Sequence, residues 1–96
     1  MPYRIGSAHM LHQEPEVAQW YRALLETTGI PAEEYLEGLH RFSRHTDTHP
    51  KELLQMAEEK RHALIERFRS EQEAVGHDAR SNLAAVHSWI EHHKVQ

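Results

Sequence analysis

From Pro31 to Ala57 the chain reads P-A-E-E-Y-L-E-G-L-H-R-F-S-R-H-T-D-T-H-P-K-E-L-L-Q-M-A, a pattern of helix, short polar bend and second helix. Pro31 suits a first helical turn, where its missing N–H has no intrahelical partner to lose. Tyr35, Leu36, Leu39 and Phe42 follow at helical spacing and make one apolar face. The run T-D-T-H supplies bend chemistry, and Pro50 opens the next helix, whose apolar side begins with Leu53, Leu54 and Met56. A helical hairpin with these faces needs further helices to cover it.

The flanking segments supply them. Met1 to Gln13 has no periodicity and is punctuated by Pro2, Gly6 and Ser7. Residues 1–13 are therefore expected to be a leader that is disordered or docks only in context, and the run G-S-A-H-M within it resembles the remnant of an expression vector. The helical domain is expected over residues 14–96. Pro15 starts its first helix, with Glu14 and Glu16 at the positive end of the helix dipole. Val17, Trp20, Tyr21, Leu24 and Leu25 form the expected buried face. Gly29 suits the left-handed residue that ends a helix, with Ile30 folding back on Leu25.

The second helix is expected from about Pro31 to His45. Gly38 in its interior costs about 1 kcal/mol relative to alanine, and close approach of another backbone is one reason to keep it. Pro50 to Val75 is long for one helix in a small domain. The polar run Glu58-Glu59-Lys60-Arg61-His62 interrupts its apolar pattern, so a break is expected near Ala57 to Lys60. Ala63, Leu64, Ile65, Phe68 and Val75 carry the pattern on to Gly76. A last helix, from about Asp78 to His93, buries Ala79, Leu83, Val86 and Ile90 beside Trp89. The expectation is an all-α compact bundle of four to five short helices. Trp20, Leu24, Tyr35, Leu39, Phe42, Leu53, Leu64, Phe68, Leu83, Val86 and Ile90 should be largely buried. Helices this short are marginal alone in water, so packing must hold them.

Ninety-six residues support one modest core. Cysteine is absent, which removes disulfides and thiolate metal sites. No apolar run is long enough to span a bilayer and no signal-peptide pattern opens the chain, so the expected location is cytoplasmic, with no membrane partner. The formal net charge of −4 weighs against a free-standing nucleic-acid binder. Ten histidines can offset part of that charge near neutrality.

The order of these segments resembles the helical core-binding domain (SAM-like, N-terminal) of tyrosine recombinases, the phage-integrase family. There a V-x-x-W segment precedes Y-L-x-x-L-x-x-F, then P-x-E-L-x-x-M, L-I-x-x-F, a glycine turn and L-x-A-V-x-S-W. Here these are Val17 to Trp20, Tyr35 to Phe42, Pro50 to Met56, Leu64 to Phe68, Gly76, and Leu83 to Trp89. The resemblance covers residues 16–95. It implies one half of a clamp that lays helices across the major groove of a recombination half-site, with double-stranded DNA and other recombinase protomers as partners. The family often carries hydroxyl residues seven and four positions before the tyrosine; Thr28 matches and Pro31 does not. A hydroxyl is also common between the glycine turn and the closing helix, where this chain has His77-Asp78-Ala79-Arg80 and then Ser81 and Asn82. The residues implied for phosphate or groove contact are Thr28, Arg41, Arg44, Lys60, Arg80, Ser81 and Asn82.

The family's catalytic domain, with its nucleophilic tyrosine, would follow where this chain ends, so this chain is expected to carry no catalysis and no cofactor. Tyr3, Tyr21 and Tyr35 belong to the leader and the apolar faces, and no nucleophile with an activating base is visible.

Other constellations point elsewhere. Glu59 and His62 have the E-x-x-H spacing of ferritin-like metal bundles, but on a single helix they fall opposite Leu53, Ala57, Leu64 and Phe68. His45-x-x-x-His49 and His92-His93 read as surface histidines rather than metal ligands, and His87 as a boundary histidine. The stretch from Leu25 to Leu39 resembles a repressor helix-turn-helix, yet its reading helix would present Glu33, Glu34 and Glu37 to phosphates. The alternative to DNA binding is a small acidic helical protein–protein interaction module, favoured by the net charge and the acidic start of the second helix.

Overall fold

The computed structural model describes residues 3–27 and 29–94. They form an all-α bundle of six helices, with no strand among them: α1 (Ala8–Leu11), α2 (Pro15–Glu26), α3 (Ala32–Thr46), α4 (Pro50–Gln55), α5 (Glu58–Ala74) and α6 (Arg80–Lys94). The radius of gyration is 12.6 Å, close to the roughly 12 Å of one compact domain of this length.

The bundle is built on α3, which packs along α6 and also touches α1, α2 and α5. Gly38 makes the α3–α6 crossing close. A Cβ there would stand 3.2 Å from both Ala85 Cβ and Asn82 Cα. Below the crossing, Leu36, Leu39 and Phe42 meet Leu83, Val86 and Ile90 in the core. Trp20 of α2 and Trp89 of α6 pack edge to face, 5.6 Å between ring centroids. Each indole N–H has a partner: Trp20 donates to Ser88 Oγ at 3.1 Å and Trp89 to the Pro50 carbonyl at 2.9 Å. Phe68 closes the far side against Phe42, at 4.9 Å.

The helix limits have local causes. Pro15 and Pro50 occupy first turns as expected. At α4 the N-cap is His49, whose Nδ1 accepts the Lys51 N–H while Glu52 Oε1 accepts the His49 N–H. The break in the long third segment falls at Met56 and Ala57, both extended. Across it Arg61 donates to the Leu53 carbonyl at 3.0 Å, capping the end of α4. Gly76, at φ +80, ends α5 in a Schellman motif: His77 N–H bonds to the Gln72 carbonyl and Gly76 N–H to that of Glu73.

Several expectations are corrected. Gly29 is left-handed, at φ +85, but α2 has already ended at Glu26, so the glycine turns the connection into α3 instead of capping α2. Leu25 is consequently 62% exposed and Ile30 only part-buried. Tyr35 and Leu64 are also only part-buried. Their neighbours Leu36 and Ile65 take the core positions, a rotation of about 100° on each helix. Val75 is 66% exposed. The leader departs most. Residues 3–13 include a helical turn, Leu11 is fully buried in the core, and Tyr3 bonds to α3. Six helices replace four to five because the leader contributes one and the third segment divides in two.

Two substitutions on α3 test this packing. Gly38→Ala gains about 1 kcal/mol of helix propensity but forces a 3.2 Å contact onto α6 backbone, where overpacking costs about 1–3 kcal/mol. Its melting temperature should fall by several degrees, and a rise would show that α6 can back away. Ser43 is fully buried and its Oγ has no hydrogen-bond partner. Ser43→Ala removes an orphaned hydroxyl and should stabilise the domain by about 1 kcal/mol in a denaturant titration.

Candidate nucleic-acid interface

Charge along α3 is segregated. Its first turns expose Glu33, Glu34 and Glu37, and its last two carry Arg41, Arg44 and His45. This order complements the helix dipole. The two halves share a helix face: Glu37 is exposed four residues before Arg41.

Arg41 and Arg44 are exposed one turn apart. Arg41 Nη1 donates to Asn82 Oδ1 at 3.0 Å, a neutral acceptor that orients the guanidinium without cancelling its charge. Arg44 has no ion pair or hydrogen bond among the described residues. Because α3 and α6 run antiparallel, with Gly38 beside Ala85 and Arg41 beside Asn82, the start of α6 lies next to the last turns of α3. This sets Arg80, Ser81 and Asn82 at the same end of the bundle as Arg41 and Arg44, a corner where Arg41 bonds to Asn82 while Arg80 lines a pocket with Arg69 and Glu73 of α5.

Their standing within that corner differs. Arg80 is held by Asp78 through both carboxylate oxygens, at 3.0–3.1 Å, and Asp78 also accepts the Arg80 backbone N–H at 2.9 Å. These bonds hold the Asp78 carboxyl below its ordinary range and raise Arg80 further. Arg80 thus comes already neutralised. Ser81 is exposed on the first turn of α6. Asn82 is buried, and its Oδ1 accepts from Arg41. Lys60 is exposed but stands in the first turn of α5. The other end of α5 is the one beside α3, where Glu71 meets His45. Eleven residues of helix, about 16 Å, separate Lys60 from that contact. Thr28 lies outside the described residues.

The leader joins the same surface, which sequence reasoning missed; its signals were Tyr3, Ile5 and Leu11, apolar residues without a helical or strand spacing. The Tyr3 backbone N–H donates to Asp47 Oδ1 at 2.6 Å, and its hydroxyl is 2.7 Å from His40 Nδ1. Burial first, and then the charge of Glu14, push the Tyr3 phenol up to about 12. His40 is shifted the other way. Burial, then Arg44, then Arg41 disfavour its imidazolium and lower its pKa. It therefore adds little positive charge to the corner near neutrality.

The other histidines are divided among structural roles. His45 bonds to Glu71 Oε1 at 2.9 Å and packs on Phe68, while its former pairing candidate His49 caps α4. His92 and His93 pack on one another, and His93 lies edge-on to Trp89 at 4.3 Å. Glu59 and His62 are exposed on α5. Among the described residues no three histidine, aspartate or glutamate side chains are grouped to hold a metal ion, and no helix is long and apolar enough to cross a membrane. Set against known protein families, curated proteins and solved structures, the chain matches none.

Two part-buried histidines make stability depend on pH in a defined direction. His40 and His93 both fall below the ordinary value of about 6.5, chiefly through burial; His92 lowers His93 further and Glu16 opposes. A base with a depressed folded pKa binds fewer protons folded than unfolded. Its contribution is complete above about pH 6.5 and is lost as pH falls through the folded value. Melting temperatures measured from about pH 8 down to about pH 5 should decline below about 6.5, before the exposed carboxylates begin to protonate. A flat profile over that range would show that neither histidine is buried in solution.

Proposed function

We propose that this chain is a DNA-binding module of the kind that forms the core-binding half of a tyrosine recombinase, gripping a recombination half-site and leaving the chemistry to a separate domain. The reading rests on the sequence order from Val17 to Trp89 together with one structural observation. In a protein of net charge −4, Arg41 and Arg44 stand exposed with no ion pair among the described residues, and Arg41 is held by Asn82 of α6. Two nearby acids are engaged elsewhere, Asp78 with Arg80 and Glu71 with His45 and Arg67, while Glu37, one turn before Arg41, forms no ion pair among the described residues. Uncompensated arginines at a corner suit phosphate oxygens, which take the planar guanidinium in paired hydrogen bonds. Contacts of this type position a duplex and carry no sequence information themselves. The net charge and the small number of free cations make the isolated domain a weak binder.

A second reading keeps one observation of its own. Between α2 and α6 lies an apolar cavity of about 320 Å³, lined by Trp20, Ala23, Leu24, Ile30 and Ser88 among others, and α2 also exposes Leu25. That face suits a protein neighbour, as in an interaction module or between recombinase protomers.

Fluorescence anisotropy with a labelled duplex at about 20 mM salt, where phosphate contacts are least screened, tests the first reading. Binding should weaken steeply as salt rises. The double variant Arg41→Ala/Arg44→Ala should lower the salt slope by about two, one for each phosphate contact. Arg80→Ala should cost less than either single change, because Asp78 already holds that charge. Absence of binding at high protein concentration would transfer the function to the α2–α6 face. A loss from Arg80→Ala as large as from Arg44→Ala would keep DNA binding but refute this choice of residues.

A further inference from the structure

The segment before α1 is clasped to the bundle at both ends. At one end Tyr3 bonds through its backbone N–H to Asp47 and through its hydroxyl to His40, with its ring 5.7 Å from that of His40 and 6.1 Å from that of His49. At the other end Leu11 is fully buried, and Ser7 caps α1 by accepting the Met10 N–H at 3.2 Å. His40 and Asp47 flank Arg44 on α3, so Tyr3 lies along the turns that carry that arginine.

Arg4 follows Tyr3 directly. Adjacent Cα atoms are about 3.8 Å apart, and Asp47 is three residues beyond Arg44, about 4.5 Å of helix rise. Arg4 is exposed and has no ion pair or hydrogen bond among the described residues. Asp47, the carboxylate at this end of α3, is occupied by the Tyr3 N–H. Glu14, which faces the Tyr3 phenol, pairs with Lys51 and His49. Arg4, Arg41 and Arg44 are thus three arginines without a carboxylate partner, supplied to one end of α3 by two separate parts of the chain.

We infer that residues 3–7 are a binding arm, which Tyr3 anchors on α3 so that Arg4 joins Arg41 and Arg44 in holding the phosphate backbone of a nucleic-acid duplex. The inference deepens the DNA-binding reading and rests on it. Anchoring matters because an arginine on a loose segment must be ordered at the moment of binding, whereas one on a docked arm is already in place.

The test compares the unaltered protein with Arg4→Ala, Tyr3→Ala, their double variant, Arg4→Lys and Arg44→Ala, by anisotropy on a labelled duplex across a salt series. Arg4→Ala should lower the salt slope by about one, as loss of one phosphate contact does, and Arg4→Lys should retain it. Tyr3→Ala leaves the formal charge near neutrality unchanged, yet it should weaken binding as much as Arg4→Ala, with the double variant no worse than either. Helical circular dichroism of Tyr3→Ala, unchanged because the arm lies outside the main helices, separates this effect from unfolding. An unaltered slope in Arg4→Ala, alongside a lowered one in Arg44→Ala, overturns the arm and leaves the DNA-binding reading intact. Full binding by Tyr3→Ala overturns the anchoring. No duplex binding by the unaltered protein overturns both readings together.

Discussion

The fold depends on how closely α3 can approach α6, and Gly38 permits that approach. With no side chain at Gly38, Asn82 and Ala85 sit against the α3 backbone. The aromatic and aliphatic residues of both helices then close into one core. Glycine in a helix interior is unfavourable by about 1 kcal/mol, a cost offset by the packing on either side. The same crossing puts Asn82 within reach of Arg41. Asn82 is thus buried in the joint and orients the exposed Arg41.

Charge on the surface is arranged by partner as much as by composition. The carboxylates Glu66, Glu71 and Asp78 are each held below their ordinary range, chiefly by a hydrogen bond to Arg69, His45 or Arg80 respectively. Exposed pairs of this kind contribute little to stability, since water screens them. Their effect on the distribution of surface charge is larger. They pair Arg67, Arg69 and Arg80 with carboxylates, and among the described residues leave Arg4, Arg22, Arg41, Arg44 and Lys60 without an ion pair. A chain of net charge −4 can thereby keep a local basic corner.

The histidines show how burial reassigns a residue type. Counted along the sequence, ten of them suggest a reservoir of positive charge or a set of metal ligands. In the fold His40 and His93 are pushed toward the neutral form by burial, His49 acts as a hydrogen-bond acceptor at a helix start, and His45 bonds to a carboxylate while packing on Phe68. None of these roles follows from histidine count or spacing: the cap at His49 is local, made with Lys51 and Glu52, and the contacts of His40 with Tyr3 and of His45 with Glu71 depend on neighbours distant in the chain.

What the sequence determined by itself was local. The apolar spacing of Val17, Trp20 and Leu24, of Leu39 and Phe42, and of Leu83, Val86 and Ile90 marked helix faces that the structure buries. Pro15, Pro50 and Gly76 marked helix ends that it keeps. Those signals act over a few residues, through backbone sterics and the 3.6-residue repeat. Tertiary structure alone decided which of two adjacent apolar residues turned inward, as with Leu36 over Tyr35 and Ile65 over Leu64. It also decided that the leader docks and that His45 takes Glu71 as its partner, 26 residues away. Rotation of a helix about its axis, docking of an irregular segment and selection among possible charge partners are settled by contacts between residues far apart in sequence. Spacing along one segment carries no record of them.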